Sequence, residues 1–241
     1  MFPGFSDETV RFFMDIRFHN DKSFMQAHHD EYIACVQQPF YALIDELAPA
    51  MLKIDPDMET RPHKVLSRIY RDTRFTRDKS PYRDHLWLAF RKSGLQEKWG
   101  QAFYWAEFGP DTLNWGLGLW GEDRGVMNAL RYRIVSEADM MGDLLKKLEK
   151  RHILAQGQES RRMAVPSAVP AALHPLYRRK SLYFERTGIR YQWAFDEKLT
   201  GRILSDFRAL RPMWQIMCGC AADPRPEAPA LETHLNKMEE I

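Results

Sequence analysis

Cysteine is scarce: Cys35, Cys218 and Cys220 are the three in 241 residues. An odd, sparse set builds no disulfide framework and fits a reducing compartment. Cys218-Gly219-Cys220 is a C-x-C pair, but no second pair and no nearby histidine completes a four-ligand zinc set, so no metal site is expected. Long apolar runs are also missing. Nothing approaches the roughly 20 apolar residues of a transmembrane helix. The opening MFPGFSDETVRFF lacks the positive start and unbroken apolar centre of a secretory signal. These absences lead to the expectation of a cytoplasmic protein with no membrane partner. No G-x-S-x-G, P-loop, kinase set or Cys-His nucleophile pattern is present, and no cofactor is expected. There is no internal repeat.

What is present is ordinary globular material. Apolar residues make up 44% and charged residues 28% of the chain, which disfavours disorder and fibrous architectures. The length suits one large domain with a real core. A single domain over residues 1–220 is expected. Pro224, Pro226 and Pro229 mark 221–241 as a proline-rich extension, expected to be mobile.

Periodicity divides the chain into blocks. Ser6 caps a helix reaching about Phe18, and Asn20 or Asp21 caps a longer helical stretch ending at Asp55-Pro56, kinked or restarted at Pro39. Strands are read at Val65–Tyr70, His85–Phe90, Phe103–Phe108 and Leu113–Trp120, with Gly109-Pro110-Asp111-Thr112 as a hairpin turn. Helical spacing returns with Val126, Leu130 and Ile134, then Leu144, Leu145 and Leu148. Residues 156–175 read as loop, Ser181–Glu185 as a short strand, and Ile203, Phe207, Leu210 and Trp214 as a C-terminal helix. Clustered strands flanked by helices make this an α+β fold: an antiparallel sheet flanked by helices from both ends of the chain.

The net charge of +2 hides an asymmetry. Residues 61–92 hold ten Lys or Arg against Asp72, Asp78 and Asp84, a net +7, which leaves −5 for the rest. The centre of this segment, from Arg68 to Tyr82, is a connection of about 14 residues, long for a compact domain unless it has a task. Arginine offers a planar five-donor fork suited to phosphate or carboxylate. Arg68, Arg71, Arg74 and Lys79 are therefore the candidate anion ligands, with Asp72 and Asp78 orienting them. Three alternatives stand beside that reading. The arginines and aspartates form an internal ion-pair network that pins the loop. Tyr70, Phe75, Tyr82 and Trp87 among the cations serve a nucleic-acid surface, although the interleaved acids fit a broad phosphate-binding face poorly. Or the chain is a protein-interaction domain in which the motif is purely structural.

The string Arg68-x-Tyr70-Arg71-Asp72-x-Arg74-Phe75-x-x-Asp78-Lys79-Ser80-Pro81-Tyr82 resembles the domain of unknown function 2461 family of bacteria and fungi. Trp115-Gly116-Leu117-Gly118-Leu119-Trp120 and Leu176-Tyr177-Arg178-Arg179-Lys180 look like further family features. Ser23 and His19 depart from the usual pattern. The resemblance covers roughly residues 3–215 and implies a shared site without an established reaction.

Other motifs weigh less. Gly116-Leu117-Gly118-Leu119-Trp120-Gly121 is a literal G-x-G-x-x-G, but a hairpin precedes it and Trp120 would crowd a pyrophosphate. Its glycines are read as letting a helix or ligand approach the sheet. Glu107 shares a strand face with Phe103 and Trp105, so it and Tyr82 are the candidates for proton transfer. His28-His29-Asp30-Glu31 lacks metal-ligand spacing and reads as a solvated helix face. Arg178, Arg179 and Lys180 are a second basic cluster with the option of joining the same site. The leading expectation is a protein that binds or acts on an anionic small molecule.

Overall fold

A computed structural model describes residues 1–95 and 99–229. The N-terminal third is helical. Helix α1 (Asp7–Phe18) starts where the Thr9 N–H donates to Ser6 Oγ at 3.4 Å. Helix α2 (Lys22–Ala27) starts where the Phe24 N–H donates to Asp21 Oδ1 at 2.8 Å. Of the two expected caps it is Asp21 that serves. A short α3 (His29–Tyr32) runs through a π turn at Ile33–Gln37 into α4 (Gln38–Ile54). Pro39 sits in the first turn of α4, where its missing N–H costs nothing, so the helix restarts there.

A one-turn α5 (Pro62–Val65) leads toward the sheet. Strands β1 (Leu86–Phe90), β2 (Ala102–Gly109) and β3 (Thr112–Leu119) follow, β2 and β3 joined by the expected hairpin. Then come α6 (Arg124–Ser136), α7 (Ala138–Glu149) and β4 (Ile153–Gln156). A short α8 (His174–Tyr177), β5 (Tyr183–Arg186) and α9 (Leu199–Ala222) complete the order. The sheet order is β1-β2-β3-β5-β4 with every described pairing antiparallel. The fold is α+β, as the clustered strands imply.

Alternation decides which face of the sheet is core. Leu86, Leu88 and Phe90 on β1, Tyr104, Ala106 and Phe108 on β2, and Leu113, Trp115 and Leu117 on β3 are buried. Those of β2 and β3 meet α9, where Ile203, Phe207, Leu210 and Trp214 are also buried, and β1 packs against α4. Tyr104 lies 4.8 Å from Phe207 and 5.2 Å from Trp214, ring to ring. Each such pair adds about 0.5–1.5 kcal/mol beyond burial. Two indole N–H groups find acid partners inside: Trp115 donates to Asp206 at 2.9 Å and Trp214 to Asp55 at 3.1 Å. The opposite face carries Trp87, Ala89, Phe103, Trp105, Glu107, Asn114 and Glu185, all partly exposed.

Three expectations change here. Val65–Tyr70 is not a continuous strand: Val65 ends α5, and pairing survives only as bridges Leu66–Leu88 and Tyr70–Tyr82. Between those bridges one strand spends the three residues 67–69 and the other the five residues 83–87, so the ladder cannot stay in register. Secondly, β4 forms within a stretch where no strand was read. Thirdly, Gly116 and Gly118 of G-x-G-x-x-G sit inside β3 to admit the neighbouring strand, not a helix or a ligand. A Cβ on Gly116 would fall 1.9 Å from the Phe184 carbonyl oxygen of β5.

The C-terminal segment is held further along than its prolines imply. Ala221 and Ala222 complete α9. The Arg225 N–H donates to Gly125 O at 3.0 Å, and Asn128 Nδ2 donates to the carbonyls of Arg225 and Pro226, each at 3.1 Å. The remainder of the expected extension, 230–241, lies outside the described residues. Among the described residues no helix is long and apolar enough to cross a membrane.

Candidate functional site

The basic segment is the far end of a long, imperfect hairpin whose arms are 66–70 and 82–88. Its backbone ties are Ser67 N–H to Trp87 O, Arg83 N–H to Ile69 O and Arg71 N–H to Pro81 O, each 2.8 Å. Asn20 clamps it from the N-terminal helices by imitating a strand. Its Nδ2 donates to Tyr82 O at 3.0 Å, and its Oδ1 accepts from the Tyr82 N–H at 2.9 Å. Val65 and Ile69 point inward and are buried, whereas Arg68 and Tyr70 point outward.

The tip is internally braced. Asp72 accepts from the Arg74 backbone N–H at 3.2 Å and from its guanidinium at 2.9 and 2.7 Å. Asp78 accepts from the Ser80 N–H at 2.9 Å and pairs with Arg71. These are turns closed by aspartate side chains, the geometry that fixes a polar loop. The Arg74 guanidinium, in first place, holds the Asp72 carboxyl at about 2. Asp78 is also held at about 2, chiefly by Ser80 and then by Arg71. Lys79 Nζ donates to Thr73 O at 2.8 Å.

Behind this tip, against the outward side of β1, lies a cleft of about 860 Å³. Lys64, Arg68, Arg71, Arg74, Arg83 and Arg91 line it, with Asp72 the one carboxylate among its lining residues. Trp87, Ala89, Tyr70 and Trp120 supply its apolar surface. The cations are not equivalent. Arg71 and Arg74 are paired with Asp78 and Asp72. Arg83 is tied to the backbone, donating to Tyr70 O at 2.5 Å, and its guanidinium lies over the Trp87 ring, 4.9 Å from the centroid. Burial, and then the neighbouring Arg71 charge, lower its pKa. That repulsion is what a crowded cationic surface produces. Lys64, Arg68 and Arg91 have no carboxylate partner among the described residues.

Of the candidate ligand residues, Arg68, Arg71, Asp72 and Arg74 are therefore brought together, and Asp78 and Lys79 brace the tip away from the cleft lining. Lys64, Arg83 and Arg91 belong to the basic count but were not singled out. Arg91 follows β1 in the outward half of its alternation, the signal that would have found it. Tyr82 is 3% exposed and lines a separate groove beside Lys22, Met25 and His29, its ring 5.1 Å from Tyr70. Burial raises its hydroxyl pKa. Glu107 lies on the outward sheet face, directly across from Trp87 of the cleft and from Asn114. Its neighbour Glu185 has a raised pKa, from burial first and the Glu107 charge second.

The second basic cluster does not reach the cleft. Arg179 donates to Gly157 O and, at 3.1 Å, to Ala155 O, and Arg178 donates to Met163 O at 3.3 Å. The cysteines are poor metal ligands, since burial pushes the Cys218 thiol up to about 12 and Cys220 to about 11. No group of three or more His, Cys, Asp or Glu able to hold a metal occurs among the described residues.

Residues 8–215 match a family described as "Conserved hypothetical protein (DUF2461)". The chain belongs to that family. The match spans the helices, the sheet and the whole basic hairpin, so the cleft is built entirely from family sequence. No curated protein matches the chain.

Proposed function

We propose that this member of the DUF2461 family binds, or acts on, an anionic small molecule bearing phosphate or carboxylate groups in the cleft behind the basic hairpin. The observation that carries the reading is the lining itself: six Lys or Arg against one Asp around 860 Å³. A surface that gathers like charges pays in repulsion unless an anion joins it. Arg68, Arg91 and Lys64 supply the unspent charge. Arg71 and Arg74 add forks already oriented by Asp78 and Asp72. Glu107, the cross-strand partner of Trp87 on the outward sheet face, is the candidate for proton transfer. Tyr82 anchors the hairpin from its own groove.

Thermal unfolding with inorganic phosphate, pyrophosphate, sulfate, sugar phosphates and short oligonucleotides tests this reading. A bound anion at 100 times its Kd adds about 2.7 kcal/mol of stability, a rise of about 5–10 °C for a domain of this size. Oligonucleotide binding with a steep salt dependence favours the nucleic-acid alternative instead. No shift with any anion, together with unfolding of Arg71→Ala and Arg74→Ala, leaves the hairpin as a structural brace.

A further inference from the structure

The cleft is far larger than its charge requires. Small-molecule sites typically enclose about 300–1,000 Å³, and 860 Å³ lies near the top of that range. An inorganic ion resting on Arg68 and Arg91 would leave most of it empty. What fills the rest is flat and aromatic. The Arg83 guanidinium lies over the Trp87 ring, 4.9 Å from its centroid, and is held there because Arg83 also donates to Tyr70 O. Tyr70 beside it is 60% exposed, an unusual degree for an aromatic that lines a cavity. Ala89, next outward on β1, leaves space beside the indole.

Two polar residues continue the outward sheet face beyond Trp87, outside the cleft lining itself. Glu107 is the cross-strand partner of Trp87, and Asn114 is the partner of Glu107. Side chains so placed have Cβ atoms about 5 Å apart. A carboxylate accepts from an amino group on a ring, and an amide both donates and accepts. In the same lining, Lys64, Arg68 and Arg91 are three cations without carboxylate partners among the described residues. That charge matches a diphosphate better than a single carboxylate.

We propose that the ligand is a nucleoside phosphate carrying at least two phosphates. Its base lies against the Arg83–Trp87 pair and Tyr70, and its phosphates rest on Arg68, Arg91 and Lys64. This rests on the anion reading above and adds the ring to it. Stacking of a base on an aromatic side chain is worth about 1–3 kcal/mol, or roughly 30-fold in affinity at the middle of that range.

The test compares adenosine diphosphate, pyrophosphate and adenosine by calorimetric titration of the full chain. The diphosphate nucleoside binds at least 10-fold more tightly than pyrophosphate. Trp87→Ala removes that advantage and leaves pyrophosphate affinity within 2-fold. Tryptophan fluorescence of the unmodified chain gives a readout that needs no variant: adenosine diphosphate quenches it and pyrophosphate does not. Equal affinity for both ligands with no quenching overturns the ring and leaves the anion reading standing. Failure of both to bind overturns the two together. A single-stranded oligonucleotide that outcompetes adenosine diphosphate, with a steep salt dependence, also overturns the proposal, because the cleft then reads a strand.

Discussion

The molecule has two arginine-rich regions, and they use the same side chain in opposite ways. In the C-terminal half several guanidinium groups are tied to acceptors of the fold. Arg131 is 3% exposed and donates to Tyr177 O at 3.0 Å, Arg179 O at 2.6 Å and Asn128 Oδ1 at 2.7 Å. Arg151 and Arg186 converge on Asp206, at 3.1 and 3.2 Å, and Asp206 also accepts from Trp115 inside the core. In the basic hairpin and its surroundings, Arg68, Arg91 and Lys64 face a cleft with no acid of their own. Counting arginines does not separate the two regions; counting acceptors does. An arginine tied to a buried carboxylate or to backbone carbonyls fixes the chain, and one without such acceptors is open to a ligand.

That contrast can be broken by substitution. The largest expected effect is at Asp206, which is 2% exposed. Asp206→Ala orphans the Trp115 indole N–H and takes the carboxylate partner from two guanidinium groups at once. Removing one partner of a buried pair costs about 3–5 kcal/mol. Arg151 and Arg186 keep 39% and 21% of their side-chain surface, so about 2–3 kcal/mol is the expectation here. The melting temperature should fall by about 4–12 °C while pyrophosphate affinity stays unchanged. A loss of affinity would mean that the two regions are coupled.

Next come Arg68→Ala and Arg91→Ala. Neither side chain is committed to a carboxylate, so calorimetry should find each melting temperature within about 2 °C of the parent, as for substitutions away from the core. A drop comparable to that of Asp206→Ala would place these residues with the structural arginines.

The smallest effect is a pH dependence. Arg61 holds the Glu59 carboxyl at about 2, below its ordinary 4.5. The Glu59 N–H donates to Arg91 O at 2.8 Å, so this pair braces the end of β1. A carboxyl with a depressed pKa contributes stability fully above its unfolded value and loses it as pH falls through the folded value. The window is therefore pH 4.5 down to about 2. Arg61 is exposed, so solvent screens the pair and the contribution is small. Acid titration of Glu59→Gln should show a slightly shallower loss of stability across that window than the parent.

The sheet was legible because one face is core: alternation on β1, β2 and β3 reads directly as buried and exposed positions. The hairpin arm at 66–70 was not, because its alternation is that of a strand while its pairing depends on two extra residues in the partner arm. β4 is four residues long, and the half-exposed Leu154, Ala155 and Gln156 give it no clean alternation. In the site, the basic segment was visible as a charge asymmetry. Which of its cations are spent was not, since that depends on Asp72 and Asp78 folding back two and seven residues onto Arg74 and Arg71. Tyr82 looked chemical among the cations, yet Asn20, 62 residues away, draws it into the interior. No local pattern carries such a contact.

The measurement that bears most directly on the open cleft is the affinity of pyrophosphate for the parent chain and for Arg68→Ala/Arg91→Ala at one ionic strength, each with its melting temperature. The expected result is a loss of at least 10-fold in affinity with the melting temperature nearly unchanged. Equal affinities in the two proteins, or a double variant that no longer folds, would contradict the assignment of these arginines to a ligand.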